Sequence, residues 1–197
     1  GSGVEVSGSR KMMSQGVLEN TNEELDLAIE GRGYFEVQLQ NGERRYTRNG
    51  TFRQDFNGRI VTAEGYLLTD SIAIPADNQG ISITPDGQVL SRGEDNEMDN
   101  IGTISVHVFA NEGGLRAAGN NYYQPTAASG QPSQSQPGLQ GAGNIRQRAL
   151  ERSNVETVDE LVSLIVAQRN YEVNSRAIRV PDEMLQQIDA DHDRIFY

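Results

Sequence analysis

The chain has 197 residues, 36% of them hydrophobic, with 21 glycines, no tryptophan, no cysteine and a formal net charge of −11. That charge excludes partners bound through clustered Lys and Arg, nucleic acid and anionic membrane surfaces among them, and the missing cysteines exclude disulfides and thiolate metal centres. No run of about 18 apolar residues exists to span a bilayer, so no membrane insertion is expected, and so polar a chain predicts a thin or divided core.

Along the chain, residues 1–24 carry KMMSQGVLENTNEE and read as an extended ingoing segment. In LDLAIEGRGYFEVQ, Leu25, Leu27 and Ile29 alternate with Asp26, Ala28 and Glu30, and beyond the glycines Phe35, Val37 and Leu39 alternate with Tyr34, Glu36 and Gln38. Period two predicts half-buried strands on both sides. The intervening Gly31-Arg32-Gly33 is not a phosphate-binding fingerprint, because Glu36 stands where a third glycine is needed and no helix pattern follows. It predicts a turn at Gly31 and Gly33 that needs the backbone freedom of glycine.

From Leu25 to about Tyr123 the sequence predicts a β-meander. Asn41-Gly42, Asn49-Gly50, Asn57-Gly58 and Pro85-Asp86-Gly87 separate the runs RRYT, TFRQD, RIVTA, ISITP and TISVHVF, and supply the positive-φ positions of hairpin turns. The segment 124–144, QPTAASGQPSQSQPGLQGAGN, is rich in Pro, Ser, Gln and Gly. It reads as a linker or long surface loop unless a neighbour lends it apolar surface.

The third zone changes period. Ser153-Asn154-Val155-Glu156 is a capping-box pattern, and after it Val158, Leu161, Leu164, Ile165, Tyr171, Ile178 and Leu185 recur at helical spacing. A helix from Val155 to Ile188 would be roughly 50 Å long. Its seam is broken by Gln168, Ser175 and Asp182, with Pro181 as a kink or stop, and it is too long for a small β-domain to cover. Something other than that domain must therefore cover the seam.

No catalytic, cofactor or metal site emerges. His107 and His192 are isolated, with His107 inside the strand-like TISVHVF, and the acidic loop 93–100 lacks the glycine and terminal glutamate of an EF-hand. Ser9, Ser129 and Ser135 lie outside any G-x-S-x-G, and an acid pair such as Asp95 and Asp99 carries no weight in so acidic a chain. Residues 32–59 hold six arginines against three carboxylates, whereas 60–100 hold eight carboxylates against Arg92 alone. Such polarity suits head-to-tail contacts between copies.

Two stretches carry a family resemblance. SQGVLENTNEELDLAIEGRGYFEVQLQNGERRYTRNGTFRQDFNGRIVTAEGYLL, residues 14–68, resembles the core signature of flagellar rod and hook proteins. AAGNNYYQPTAASGQPSQSQPGLQGAGNIRQRALERSNVETVDELVSLIVAQRNYEVNSRAI, residues 117–178, is similar to the C-terminal half of the flagellar distal rod family, FlgG, with Arg179-Val180-Pro181 and the tail DADHDRIFY departing from it. The resemblance implies a structural subunit, not an enzyme, that needs no cofactor. It would pass through the flagellar export apparatus and polymerise helically with copies of itself and with other rod and hook proteins, as the drive shaft that crosses the periplasm.

The implied fold is mainly β with a long C-terminal α-helix: an elongated β-meander domain inserted between tube-forming segments, the N-terminal partner helix lying before the first residue of this sequence. The implied layout is residues 1–29 as ingoing segment, 30–139 as β-rich outer domain, and 140–197 as return segment and helix. Alternatives are a hook or proximal-rod relative, or a secreted β-rich glycan-binding module stacking sugars on Tyr122 and Tyr123.

Overall fold

The computed structural model describes residues 15–152 together with Gln168 and Arg169. The chain divides into two compact units, Gly1–Asn154 and Val155–Tyr197, and every strand among the described residues lies in the first. In order these are β1 (Leu18–Asn20), β2 (Leu27–Glu30), β3 (Phe35–Gln38), β4 (Arg44–Thr47), β5 (Phe52–Gln54), β6 (Ile60–Thr62), β7 (Leu67–Leu68) and β8 (Gly80–Ile83). They continue as β9 (Gln88–Arg92), β10 (Met98–Thr103), β11 (Val106–Val108), β12 (Arg116–Ala117), β13 (Tyr122–Gln124), β14 (Ser133–Ser135), β15 (Asn144–Gln147) and β16 (Ala149–Glu151). Among the described residues one 3-10 turn, Glu112–Gly114, interrupts them.

The turn dipeptides act as their chemistry dictates at three of four places. Gly42, Gly58 and Gly87 all have positive φ and close the hairpins β3–β4, β5–β6 and β8–β9. Gly50 differs. Its φ is ordinary, but a Cβ there would lie 1.6 Å from the Leu27 carbonyl oxygen, and the Leu27 amide donates to Gly50 O at 3.0 Å. Glycine is needed at that position for close backbone approach rather than for a turn.

The expected meander is corrected by the sheet order. The largest sheet runs β12-β13-β4-β3-β7-β6-β5, so β3 sits between β4 and β7, and β13 arrives from far along the chain to pair with β4. A second sheet is β10-β9-β8, and the pairs β11–β14, β15–β2 and β1–β16 complete the unit, all antiparallel. Local turn signals specify hairpins but say nothing about which distant edge a strand joins.

The expected long C-terminal α-helix is also corrected. The described residues are mainly β, and their only α-helical positions are Gln168 and Arg169; the rest of the range 155–188 lies outside them. Amphipathic spacing is a weak warrant by itself, because most helical stability comes from packing the apolar face against something.

The strands flanking Gly31 and Gly33 are buried on both faces rather than one. Asp26 and Ala28 are buried alongside Leu27 and Ile29, and Tyr34 and Glu36 alongside Phe35 and Val37. Around β3, two apolar clusters cause this. The larger holds Leu27, Ile29, Phe35, Val37, Ile60, Ile104, Val106 and Ile145; the smaller, on the other side of β3, packs Tyr34, Tyr46, Phe109 and Leu115. In the smaller one Phe109 meets Tyr46 edge-to-face at 5.0 Å and Tyr34 at 5.7 Å.

The Ser/Pro/Gly-rich segment is not a linker. Ser133–Ser135 forms β14 against β11, and Ser129 is fully buried. The Ser129 hydroxyl accepts from the Thr126 amide at 2.8 Å and donates to Thr126 O, while Thr126 Oγ1 donates to Gly114 O at 2.7 Å and Asn111 Nδ2 to Ala128 O at 3.0 Å. Hydroxyls and amides here supply the order that apolar surface cannot.

Candidate functional site

The first and last described strands meet. Leu18–Asn20 pairs with Ala149–Glu151, and Leu27–Glu30 with Asn144–Gln147, so the chain enters and leaves the β-unit side by side. The Gly31-Arg32-Gly33 turn lies at this junction, with φ of +116° at Gly31 and +131° at Gly33. A Cβ on Gly31 would stand 2.9 Å from Gly143 Cα, and one on Gly33 would stand 2.0 Å from Val106 Cγ1. The Gly143 amide donates to Arg32 O at 2.7 Å, stitching the turn to the outgoing chain.

Such a turn leaves carbonyls converging inward, and one side chain satisfies them. Arg48, just past β4, donates to Ile29 O at 3.1 Å, Gly31 O at 3.0 Å and Gly33 O at 3.0 Å, and pairs with Glu151 at 2.7 Å. Its guanidinium also lies 5.9 Å from the centre of the Tyr34 ring. Only a planar, always-charged fork with five donors can serve four acceptors at once. Around it, Glu151 accepts from the Gly16 amide at 2.8 Å, and Gln15 both donates to Ile29 O at 2.8 Å and accepts from the Gly31 amide at 3.1 Å. One arginine thus ties the ingoing strand, the glycine turn and the outgoing strand together.

A second polar cluster sits inside the smaller core. Glu36 on β3 is 4% exposed; Tyr46 donates to its Oε2 at 2.7 Å, Arg44 pairs with its Oε1 at 3.1 Å, and His107 Nε2 stands 3.4 Å away. Burial pushes the His107 imidazole below its ordinary value, against the opposite pull of Glu36, and Arg44 pushes it further down. The His107 Nδ1 is buried with no hydrogen-bond partner. Burial likewise raises the Asp70 carboxyl, against hydrogen bonds from Ser105. Carboxylate, phenol and imidazole are all buried, so this is a polar element of the core. A polar crease of about 330 Å³ is lined by Thr103, Ser105, Gln134, Ser135 and Gln136, with no acid or base among them.

Other sequence expectations fall variously. The seam residues Val158, Leu161, Leu164, Ile165, Tyr171, Ile178 and Leu185 lie outside the described residues. Tyr122 offers no sugar-stacking face: it is 7% exposed, its hydroxyl donates to Glu64 at 2.7 Å, and its ring meets Tyr66 edge-on, while Tyr123 packs edge-on against Tyr34. The arginine-rich half of the charge pattern is consumed within the chain. Arg32 pairs with Glu112, Arg44 with Glu36, Arg45 with Glu43, Arg48 with Glu151 and Arg59 with Asp55, and Arg53 donates to Ala63 O. In the sequence Arg48 stands only as one of six arginines between residues 32 and 59. Nothing in the local sequence marks its partner Glu151, although a Gly-x-Gly turn with unpaired carbonyls is a reason to look for a buried arginine.

Residues 28–91 match the flagellar hook protein FlgE/F/G D1 domain, and residues 146–190 match the C-terminal region of flagellar basal-body rod FlgEFG proteins. The chain is 42% identical to the flagellar basal-body rod protein FlgG of Buchnera aphidicola subsp. Baizongia pistaciae, over 95% of this chain and 73% of that protein. In Bacillus subtilis it is 39% identical to FlgG, over 89% of this chain and 68% of that protein. To the flagellar hook-basal body complex protein FlhP of the same organism it is 30% identical, over 92% of this chain and 70% of that protein. With both relatives in one organism, the higher identity falls to FlgG. The chain belongs to the FlgG family of flagellar basal-body rod proteins.

Proposed function

We infer that the chain is a structural subunit of the rod of the bacterial flagellar basal body. The observation that carries this is the 42% identity to a rod protein across 95% of the chain. It polymerises helically with copies of itself and contacts other rod and hook proteins, after passage through the flagellar export apparatus, as part of the shaft that crosses the periplasm. The meeting of β1 with β16 and β2 with β15 supports a layout in which residues 1–29 and 140–197 face the shaft axis while 30–139 faces outward.

The test is location and need. A tagged copy expressed from its own locus in the native bacterium should co-purify with intact basal bodies, and an in-frame deletion should abolish swimming. A protein absent from purified basal bodies, or a deletion strain that swims normally, would refute the assignment.

A further inference from the structure

We propose that Asn49-Gly50 is a site of spontaneous deamidation, where the folded chain converts its own asparagine into aspartate and isoaspartate beside the Arg48 junction. Asn-Gly pairs occur at 41–42, 49–50 and 57–58, and a glycine hinders attack on the preceding side chain least because it has no Cβ. The fold separates one of the three from the others.

The attacking atom is the glycine nitrogen. At two pairs it is engaged: the Gly42 amide donates to Leu39 O at 2.9 Å and the Gly58 amide to Asp55 O at 3.0 Å. The Gly50 amide has no acceptor among the described residues, and only its carbonyl is used, by the Leu27 amide at 3.0 Å. The atom attacked is the side-chain carbonyl carbon of the asparagine. Asn57 has no hydrogen bond to its side chain, and Asn41 Oδ1 accepts one, from the Glu43 amide at 3.0 Å. Asn49 Oδ1 accepts two, from the Thr51 amide at 3.1 Å and the Thr51 hydroxyl at 3.0 Å. The bond from the Thr51 amide folds the side chain back across the Asn49–Gly50 peptide, toward the nitrogen that attacks. Both donors aim at the oxygen that turns negative as the bond forms. Asn49 is exposed, so water and hydroxide reach it.

Hydroxide from solvent takes the Gly50 amide proton, and the nitrogen attacks Asn49 Cγ to place the negative charge on Oδ1. Collapse of that intermediate restores the carbonyl and expels Nδ2, which takes a proton from water and leaves as ammonia. The resulting five-membered imide is opened by one water at either carbonyl, giving aspartate or isoaspartate. One water is consumed, one ammonia is released, and nothing is oxidised or reduced. Aspartate puts a carboxylate next to Arg48 in the chain, and isoaspartate adds a backbone carbon between Arg48 and Gly50. The close approach of Gly50 to Leu27, where a Cβ would lie 1.6 Å from the Leu27 carbonyl oxygen, leaves no room for the longer chain.

The purified full-length chain, incubated at mildly alkaline pH in water labelled with heavy oxygen, tests this. Peptide mapping by mass spectrometry follows label entering each of the three asparagines, and isoaspartyl methyltransferase reports the isoaspartate form. In the folded protein Asn49 should convert faster than Asn41 and Asn57, and in concentrated urea the three rates should converge. Thr51→Val should slow conversion at Asn49 about two- to tenfold, the rate equivalent of one hydrogen bond, while Thr51→Ser should keep the wild-type rate. The Asn41 and Asn57 rates, read in the same digest, should stay at their folded values in both variants. Conversion at Asn49 no faster than at Asn57 in the folded chain, the same ranking in urea as in the fold, or an unchanged Asn49 rate in Thr51→Val would overturn the proposal.

Discussion

Arg48 and Glu151 are separated by 103 positions in the chain and by 2.7 Å in the fold. Both are mostly buried, with 21% and 11% of their side chains exposed, so removing either leaves an opposite charge and several carbonyls without compensation. Breaking such a pair costs about 3–5 kcal/mol. Arg48→Ala should destabilise the protein by that amount in urea unfolding, and Arg48→Lys should recover little, since one ammonium cannot reach Ile29, Gly31, Gly33 and Glu151 together. A double-mutant cycle with Glu151→Gln should return a coupling of about 1 kcal/mol or more. Additive effects would show that the pair is incidental.

The glycines at the junction should rank by their surroundings. Gly33→Ala combines a left-handed backbone with a clash against Val106, and should cost more than the roughly 1 kcal/mol typical of a point change. Gly31→Ala, with Gly143 Cα at 2.9 Å, should be similar, and Gly50→Ala should be severe through the Leu27 carbonyl despite its ordinary φ. Gly42→Ala has nothing within 4 Å of the added methyl, so only its positive φ is at stake and the cost should stay near 1 kcal/mol. Equal melting temperatures for Gly33→Ala and Gly42→Ala would show that the close packing around Gly33 is not a constraint.

What was legible in the sequence follows from how local each signal is. Asn41-Gly42, Asn57-Gly58 and Asp86-Gly87 marked three hairpins because a positive φ is a property of one residue. The burial of Glu36 was invisible, because it depends on Tyr46, ten residues on, and on His107 in another strand. The pairing of Tyr122 with Thr47, and of Ile145 with Ile29, depends on which strand edges remain open once the nearer hairpins form, and no run of residues encodes that. The segment around Ser129 misled for the opposite reason: its composition predicts disorder in isolation, while its hydroxyls and amides find partners only in the folded unit. The charge pattern between Arg32 and Arg59 suggests contacts with other copies, yet each of its arginines has an acceptor within the chain.

His107 should make stability depend on pH near neutrality. Its folded value lies below the ordinary 6.5 because burial disfavours the imidazolium, so the unfolded chain binds the extra proton first. The stability conferred by burying a neutral ring is present above about 6.5 and is lost as pH falls through it. Asp70 has the opposite sign, since its raised carboxyl favours protonation in the fold, but it acts closer to the acid range around its ordinary 3.8. Urea midpoints should therefore fall between pH 7.5 and 5.5, with a slope of at most about 1.4 kcal/mol per pH unit for one proton, and His107→Gln should flatten that slope. An unchanged slope in His107→Gln would place the titrating group elsewhere.

The Ser129 knot should control whether the Ser/Pro/Gly-rich segment is ordered. Ser129→Ala strands the Thr126 amide in a buried site, a loss of about 1–3 kcal/mol confined to that segment. Limited proteolysis should then cut between Thr126 and Ser133 at protease levels that leave the wild-type protein whole. A variant as resistant as wild type would mean that the β11–β14 pairing alone orders the segment.

In the bacterium, the Arg48 junction should appear as temperature sensitivity. Domains of this size are stable by only about 5–15 kcal/mol, so losing 3–5 leaves a subunit that folds when cool and fails when warm. Arg48→Ala at the native locus should swim at low growth temperature and lose motility a few degrees before the parent strain, with fewer complete basal bodies and normal amounts of transcript. Glu151→Ala should behave alike, because it removes the other half of the same tie. Arg116→Ala is the control: Arg116 is exposed on an edge strand and hydrogen-bonded to Gln124, and its loss should leave swimming unchanged across the range. If Arg48→Ala matched the control at every temperature, the junction between ingoing and outgoing strands would not be what keeps the subunit fit to serve in the rod.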